Sequence, residues 1–360
     1  MVADKLSHIS LTILSYFLLS STLTLVTAHN INGLKECICL KHDSHNHDHD
    51  DDESNVLRYK VAAIFTILFA SAVGVSLPIL GRKIPVFRPE RGSFLLVKAY
   101  SAGIILCTAF IHILPEAFEN LTSPCLGQDS AWANFPFTGL TVMLGVLLTL
   151  MLGSISTRHF NMALLRDSED DDGIEAKNVY NNNHGHEHCT ISLVPHKEDQ
   201  LIKQRISSQV LEIGIVVHSI IIGLSVGTSK KVDTIKPLIA ALCFHQFFEG
   251  IGLGGCIVQA SFKSASTLLM ALCFTITTPL GVAIGIGLTN VYDETSPITL
   301  IGQGLLNSIA AGILIYMALV DLLAPDFMDP KIQTSTKLFF GAKVTLLLGV
   351  ASMTILAIWA

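Results

Sequence analysis

His245 and Glu249 stand four residues apart within one apolar stretch of the chain. On a helix, this spacing places both side chains on one face, one turn apart. A neutral imidazole and a carboxylate on one face form two ligands for a divalent cation such as zinc or ferrous iron. His218 lies near the middle of the preceding apolar stretch and supplies a third ligand if the two helices pack together. The pattern therefore indicates a site for a metal ion or a proton.

Glycines in the same two stretches predict that the two helices pack closely, because glycine lets helix backbones approach each other. They are Gly214, Gly223 and Gly227 in the first stretch and Gly250, Gly252, Gly254 and Gly255 in the second. The alternative is that His218, His245 and Glu249 only exchange hydrogen bonds between helices, with Ser219 and Gln246 as further partners. Three such groups in adjacent apolar helices favour the functional interpretation, since each is costly inside a membrane.

A second pair, His112 and Glu116, also stands four residues apart, with Pro115 between the two. It lies at the outer end of an apolar stretch. The pair fits an entrance site for cations and equally fits an ordinary helix end with a satisfied histidine.

Two polar segments are rich in histidine. One lies within 29–55, where His alternates with Asp, and the other contains His184, His186 and His188. Such segments bind divalent metals loosely without a fold, and the alternative is a solvated run of charge. We expect them to capture or sense metal ions apart from the central site.

The composition indicates a membrane protein. Half of the 360 residues are hydrophobic and only 14% are charged, against about 25% in a soluble domain. The formal charge of -6 offers no basic excess for a nucleic acid. Eight windows have the length of a membrane-spanning helix, about 20 residues. They run over 61–80, 94–115, 135–157, 210–228, 237–260, 265–292, 297–320 and 338–360.

The ends of the chain and its loops predict the orientation. Residues 1–28 have the features of a cleaved signal peptide, with an uncleaved membrane anchor as the alternative. A polar extracellular segment follows over 29–57. Lys and Arg crowd the first and third loops but are absent from 116–134, so the first and third loops are predicted to be cytoplasmic and both termini outside. We expect spans 1–3 within 58–158, a disordered cytoplasmic loop over 159–207 and spans 4–8 within 208–360. Lys98 lies near a helix end and is expected to reach the headgroups.

The residues around these sites resemble those of the ZIP family of divalent metal transporters, in particular its plant zinc and iron branch. The resemblance is carried by 217–225, around His218 and Ser219, and by 245–256, which begins with His245 and Gln246 and includes Glu249. Further likeness lies in 110–116, 277–287 and 306–323. It implies an all-α bundle of eight transmembrane helices, with both termini outside and metal moving toward the cytoplasm. It also implies that His218, His245 and Glu249 form the transport site, lined by Ser219 and Gln246.

The resulting hypothesis is that the protein transports divalent transition metals. Zinc is the expected substrate, and iron, manganese and cadmium are further candidates. Zinc or ferrous iron is then the substrate, and no tightly bound cofactor is expected. The alternatives are a metal sensor that binds without transport and an intramembrane metalloprotease. The protease would need His-Glu-x-x-His, which the sequence lacks. The expected partners are metal ions and the lipid bilayer, and a homodimer is left open. The expected location is the plasma membrane, with the vacuole or another endomembrane as the alternative.

Overall fold

The computed structural model describes residues 49–81, 92–127, 130–171, 197–230, 232–289, 296–328 and 330–359. Within these ranges the chain is helical and contains no strand. Eight of the helices are long and apolar enough to cross a membrane. The prediction of an all-α bundle with eight membrane-spanning helices is therefore confirmed.

The eight long helices are labelled α1 to α8. Helix α1 is His49–Leu80, α3 is Phe137–Asp171, α4 is Lys197–Thr228, α5 is Val232–Gln259, α6 is Ser264–Leu288 and α8 is Thr336–Trp359. Helix α2 comprises Gly92–Cys107, a π-helical segment Thr108–Ile113 and a final α-helical part Leu114–Leu121. Helix α7 likewise comprises Pro297–Tyr316, the π-helical Met317–Leu323 and Ala324–Phe327.

Both π-helical segments end shortly before a proline. In α2 the segment ends at Ile113, two residues before Pro115, and in α7 it ends at Leu323, two residues before Pro325. Proline has no backbone N–H, and its ring clashes with the carbonyl four residues earlier. A wider turn before the proline removes that clash, and such single π turns are frequent at functional sites.

The helices pack as two groups of four. In the first group α1 packs along α5 and α4 packs along α6, and in the second α2 packs along α8 and α3 packs along α7. The groups meet where α4 contacts α7 and where α2 contacts α5. Helix α4 is the most buried of the eight, whereas α3 and α8 expose most of their apolar side chains, as expected for helices that face lipid.

Several helices extend farther than the sequence predicted. Helix α3 continues to Asp171 and α4 begins at Lys197, so both ends of the expected loop over 159–207 are helical. Helix α1 begins at His49, within the expected polar segment over 29–57. A helix that leaves the apolar layer keeps its backbone hydrogen bonds, so a change to polar composition does not by itself end it. The predicted signal peptide over 1–28 lies outside the described residues.

The glycines do not bring α4 and α5 together, so that prediction is wrong. A Cβ atom on Gly223 would lie 2.5 Å from the Thr278 carbonyl oxygen of α6, and Gly227 approaches Gly285 of the same helix. In α5, Gly250 lies against Val75 of α1. The close backbone approaches are therefore α4 to α6 and α5 to α1, within one group of helices.

Candidate metal centre

Three imidazole rings from three helices meet in the interior of the bundle. The ring centroid of His112, in the π-helical segment of α2, lies 5.7 Å from that of His218 on α4 and 5.9 Å from that of His245 on α5. The centroids of His218 and His245 are 6.2 Å apart. The three rings form a nearly equilateral triangle at the meeting point of the two groups of helices. We call these three side chains the histidine cluster.

The cluster is buried together with polar groups that lack partners. His218 and His245 are each 1% exposed, and Glu249, one turn from His245 on α5, is fully buried. Several of these polar atoms have no hydrogen-bond partner: both ring nitrogens of His218, Nε2 of His112 and of His245, and both carboxylate oxygens of Glu249. Buried polar groups are normally paired, because an unpaired one keeps its full desolvation cost. The arrangement therefore suits an occupant that supplies the missing interactions.

The cluster is slightly more open than a closed zinc site. Zn–N bonds of about 2.0–2.1 Å in a tetrahedral site place imidazole centroids roughly 5 Å apart. Among the described residues, no group of three or more His, Cys, Asp and Glu side chains has the geometry to hold an ion as it stands. The measured separations are about 1 Å wider than a closed site requires. Small movements of the three helices would bring the rings to that distance.

The π turn explains why His112 belongs to the cluster. The sequence alone allows two interpretations of His112 and Glu116: an entrance site for cations or an ordinary helix end. The structure places the His112 ring beside His218 and His245, and leaves Glu116, partly exposed, about one turn farther along α2. Widening the turn over Thr108–Ile113 changes the direction in which His112 points relative to the rest of α2.

Ser219 and Gln246 are buried beside the cluster. Their residues are 1% and 0% exposed, and their side-chain polar atoms have no hydrogen-bond partner. Each follows a cluster histidine in the chain, so it projects about 100° away from that histidine around its helix. The structure thus places both next to the histidines but on adjacent faces of α4 and α5. His184, His186 and His188 lie outside the described residues.

Eight membrane-spanning helices around a group of interior imidazoles define a multi-pass membrane protein with an interior suited to a transition-metal cation. The sequence model of the family described as "ZIP Zinc transporter" matches residues 57–357. The chain is 49% identical over 316 residues to Zinc transporter 5 of Oryza sativa subsp. japonica, covering 86% of this chain and 89% of the relative. It is 45% identical over 352 residues to Zinc transporter 3 of Arabidopsis thaliana, covering 96% and 98%.

A further relative is Fe(2+) transport protein 1 of Oryza sativa subsp. japonica, 46% identical over 322 residues that cover 86% of each chain. The chain belongs to the ZIP family of metal transporters. The family predicted from the residues is thereby confirmed, and so is the prediction that the protein is not an enzyme, because the members of this family are transporters. Its substrates are divalent metal ions, and it is embedded in a membrane.

Proposed function

We propose that the protein carries zinc into the cytoplasm through a site formed by His112, His218, His245 and Glu249. The observation that supports this proposal most strongly is the convergence of three imidazoles, from α2, α4 and α5, with buried ring nitrogens that lack partners. The names of the relatives, most of them zinc transporters, support zinc as the first substrate, and the Fe(2+) transport protein supports ferrous iron as the second.

The ligand types determine which cations the site accepts. Neutral imidazole binds zinc and ferrous iron well, whereas calcium and magnesium prefer shells made of oxygen atoms. Three imidazoles and one carboxylate therefore select against the alkaline earth cations, although these are far more abundant in most fluids. Manganese and cadmium remain acceptable ions for this ligand set.

Transport through this site exchanges water ligands for protein ligands. A hydrated ion reaches the interior only if imidazole nitrogens and the Glu249 carboxylate replace its water molecules as these are lost. Glu249 also contributes a negative charge, which offsets part of the cost of placing a cation in an apolar surrounding. The ion leaves when movement of the helices separates the ligands, and we propose that an ion gradient drives this movement, because the sequence contains no phosphate-binding loop.

Two observations support the membrane orientation that our proposal of inward transport assumes. The loop between α1 and α2 contains Arg82, Lys83, Arg88 and Arg91, and cytoplasmic loops are enriched in such residues. The connection between α2 and α3 contains Cys125, which is disulfide-bonded, and disulfides persist mainly outside the cytosol. Glu116 then lies on the outer side of the histidine cluster and both termini lie outside. We propose the plasma membrane as the location.

The proposal is tested by zinc uptake in a yeast strain that lacks its own high-affinity zinc uptake. We expect His245→Ala to abolish accumulation of radioactive zinc while the tagged protein remains at the cell surface. Cys243→Ser, two residues away on the same helix, is the matched control and should retain uptake. Normal uptake by His245→Ala would reject the site. Wild-type protein that binds zinc but gives no flux would instead identify a metal sensor.

A further inference from the structure

Helices α2 and α5 run antiparallel, and a row of polar residues follows the line where they meet. On α2 this row consists of Lys98, Ser101, Thr108 and His112, and on α5 of Gln259, Cys256, Glu249 and His245. The spacing in both helices is close to 3.5 residues, so each set lies on one face. We call this line the α2–α5 seam. Contacts along it show the antiparallel pairing: His112 with His245, Ser101 with Gly252, and Lys98 with Gln259.

The middle of the seam contains buried polar atoms without partners. Ser101 and Thr108 are 0% exposed, and neither hydroxyl oxygen has a hydrogen-bond partner. The same holds for both carboxylate oxygens of Glu249. Ser and Thr are common where membrane helices meet, and there they usually hydrogen-bond across the interface; the hydroxyls of Ser101 and Thr108 do not. Hydroxyl and carboxylate oxygens at these positions are suited to a cation that passes along the seam and interacts with them in turn.

Lys98 lies at the end of this row. It precedes His112 by 14 residues on α2, and Gln259 follows His245 by 14 residues on α5, which corresponds to roughly 21 Å along each helix. The expectation that Lys98 reaches the headgroups is wrong, because the residue is only 5% exposed. Its ammonium group donates to the Asp326 carboxylate at 3.0 Å and to the Gln259 side-chain oxygen at 3.3 Å. Pairing with Asp326 offsets the cost of burying this charge.

The two partners of Lys98 belong to different groups of helices. Asp326 lies in the final part of α7, which is in the same group as α2, whereas Gln259 is the last residue of α5, in the other group. The end of α5 is also attached to α4, since Arg205 Nε donates to the Ala260 carbonyl at 3.0 Å. When α5 separates from α2, the hydrogen bond from Lys98 to Gln259 must break, whereas the ion pair with Asp326 can persist.

We propose that Lys98 is the inner gate of the cation path and that Gln259 is the latch that holds this gate closed. The proposal rests on the proposed transport function. While Lys98 bridges α2 and α5, its side chain occupies the end of the seam and blocks a divalent cation that has left the histidine cluster. Release of Gln259 lets Lys98 withdraw toward Asp326 and opens the end of the seam.

Substitution of Gln259 tests the gate while Lys98 keeps its partner Asp326. Gln259→Leu removes the latch and retains the Lys98–Asp326 ion pair. Gln259→Glu replaces a neutral acceptor with a charged one and binds α5 more firmly to Lys98. A hydrogen bond to a charged group shifts an equilibrium by roughly tenfold or more. The two variants should therefore change the opening of the gate in opposite directions by about that factor.

The experiment uses the full-length protein in proteoliposomes whose protein orientation has been determined. A small, membrane-impermeant methanethiosulfonate reagent is applied on the Lys98 side, and modification of Cys256, which is buried on the seam about one turn from Gln259, is measured by peptide mass spectrometry. Cys273 on α6 serves as the internal standard. Zinc flux is measured on the same preparations.

For Gln259→Leu we expect Cys256 to react about tenfold faster than in the wild type, with unchanged Cys273 labelling and no loss of zinc flux. For Gln259→Glu we expect slower Cys256 labelling and slower flux. Wild-type labelling and flux in both variants would overturn the gate and leave transport itself standing. If the wild type transports no zinc at all, the proposed function is refuted. This result comes from the wild-type flux alone, so it can be distinguished from a failure of the gate, which is measured by the Gln259 variants.

Discussion

Replacing His112 with alanine tests whether the third imidazole belongs to the metal site. The ring lies 5.7 Å and 5.9 Å from the two other histidines, so it is as close to each as they are to one another. If all three rings bind one ion with Glu249, the substitution removes one of four ligands. Structural zinc sites with four ligands contribute about 10–16 kcal/mol in total, so one ligand accounts for about 3 kcal/mol. That corresponds to a dissociation constant weaker by roughly 100-fold.

The expected loss can be measured as ligand-induced stabilisation of the purified protein. At a zinc concentration 100 times the dissociation constant, binding stabilises a protein by about 2.7 kcal/mol. If His112→Ala weakens binding 100-fold, the same zinc concentration stabilises it by only about 0.4 kcal/mol. The zinc-dependent rise in Tm should therefore nearly disappear. The Tm without zinc should fall only by the packing lost with the ring, because Nε2 of His112 has no hydrogen-bond partner that the substitution would leave unpaired.

The assay is thermal unfolding of the detergent-solubilised protein, with and without zinc, and with calcium as the control cation. Glu119→Ala, at an exposed position on the same helix, is the matched variant and should keep the full response to zinc. A zinc-dependent shift in His112→Ala equal to that of the wild type would refute the assignment of His112 to the site. It would then favour the outer-pair interpretation, in which His112 acts with Glu116.

Three further outcomes are expected. Glu249→Gln keeps the shape of the side chain and removes its charge, so zinc uptake should fall by about tenfold or more at equal surface expression; unchanged uptake would show that Glu249 is not a ligand. Gly281→Ala places a Cβ atom 2.8 Å from the Ile220 carbonyl oxygen and should destabilise the protein by about 1–3 kcal/mol. Gly287→Ala, with nothing within 4 Å of the added atom, should leave Tm unchanged, and an equal effect of both would contradict the packing of α4 on α6. Deleting residues 184–189 should alter the metal-dependent turnover of the protein and leave its initial uptake rate intact, whereas loss of uptake would show that the segment takes part in transport.

The number of helices was predictable because each apolar window has the length that a bilayer imposes. The ends of the helices were not, because α3 and α4 extend well into polar sequence where hydropathy changes but helical hydrogen bonding does not. The prediction that glycines bring α4 and α5 together was wrong, and the positions of the glycines in the sequence explain why. Gly223 and Gly227 lie about 140° and 180° around the helix from His218, so they face away from the partner helix of that histidine.

The membership of His112 in the cluster was harder to predict. His218 and His245 lie on consecutive helices, which are often neighbours, whereas contact between α2 and α5 joins helices that are far apart in sequence. A single amino-acid sequence contains no signal that predicts the contact between α2 and α5. Once the pairing is known, the seam spacing does contain a signal, since polar residues recur on one face of each helix from His112 to Lys98 and from His245 to Gln259.

Pro115 and Pro325 connect the fold to the proposed path. Each follows a π-helical segment, and these two segments lie on the two helices that contribute His112 and Asp326. A π turn has one residue more than an α turn and can shift along a helix at low cost, because the proline has already removed one of its hydrogen bonds. Movement of the π turn in α2 would rotate His112 relative to Lys98 without unfolding either end of the helix. His112 and Lys98 can therefore change position relative to each other on a single helix, as release of an ion past the proposed inner gate requires.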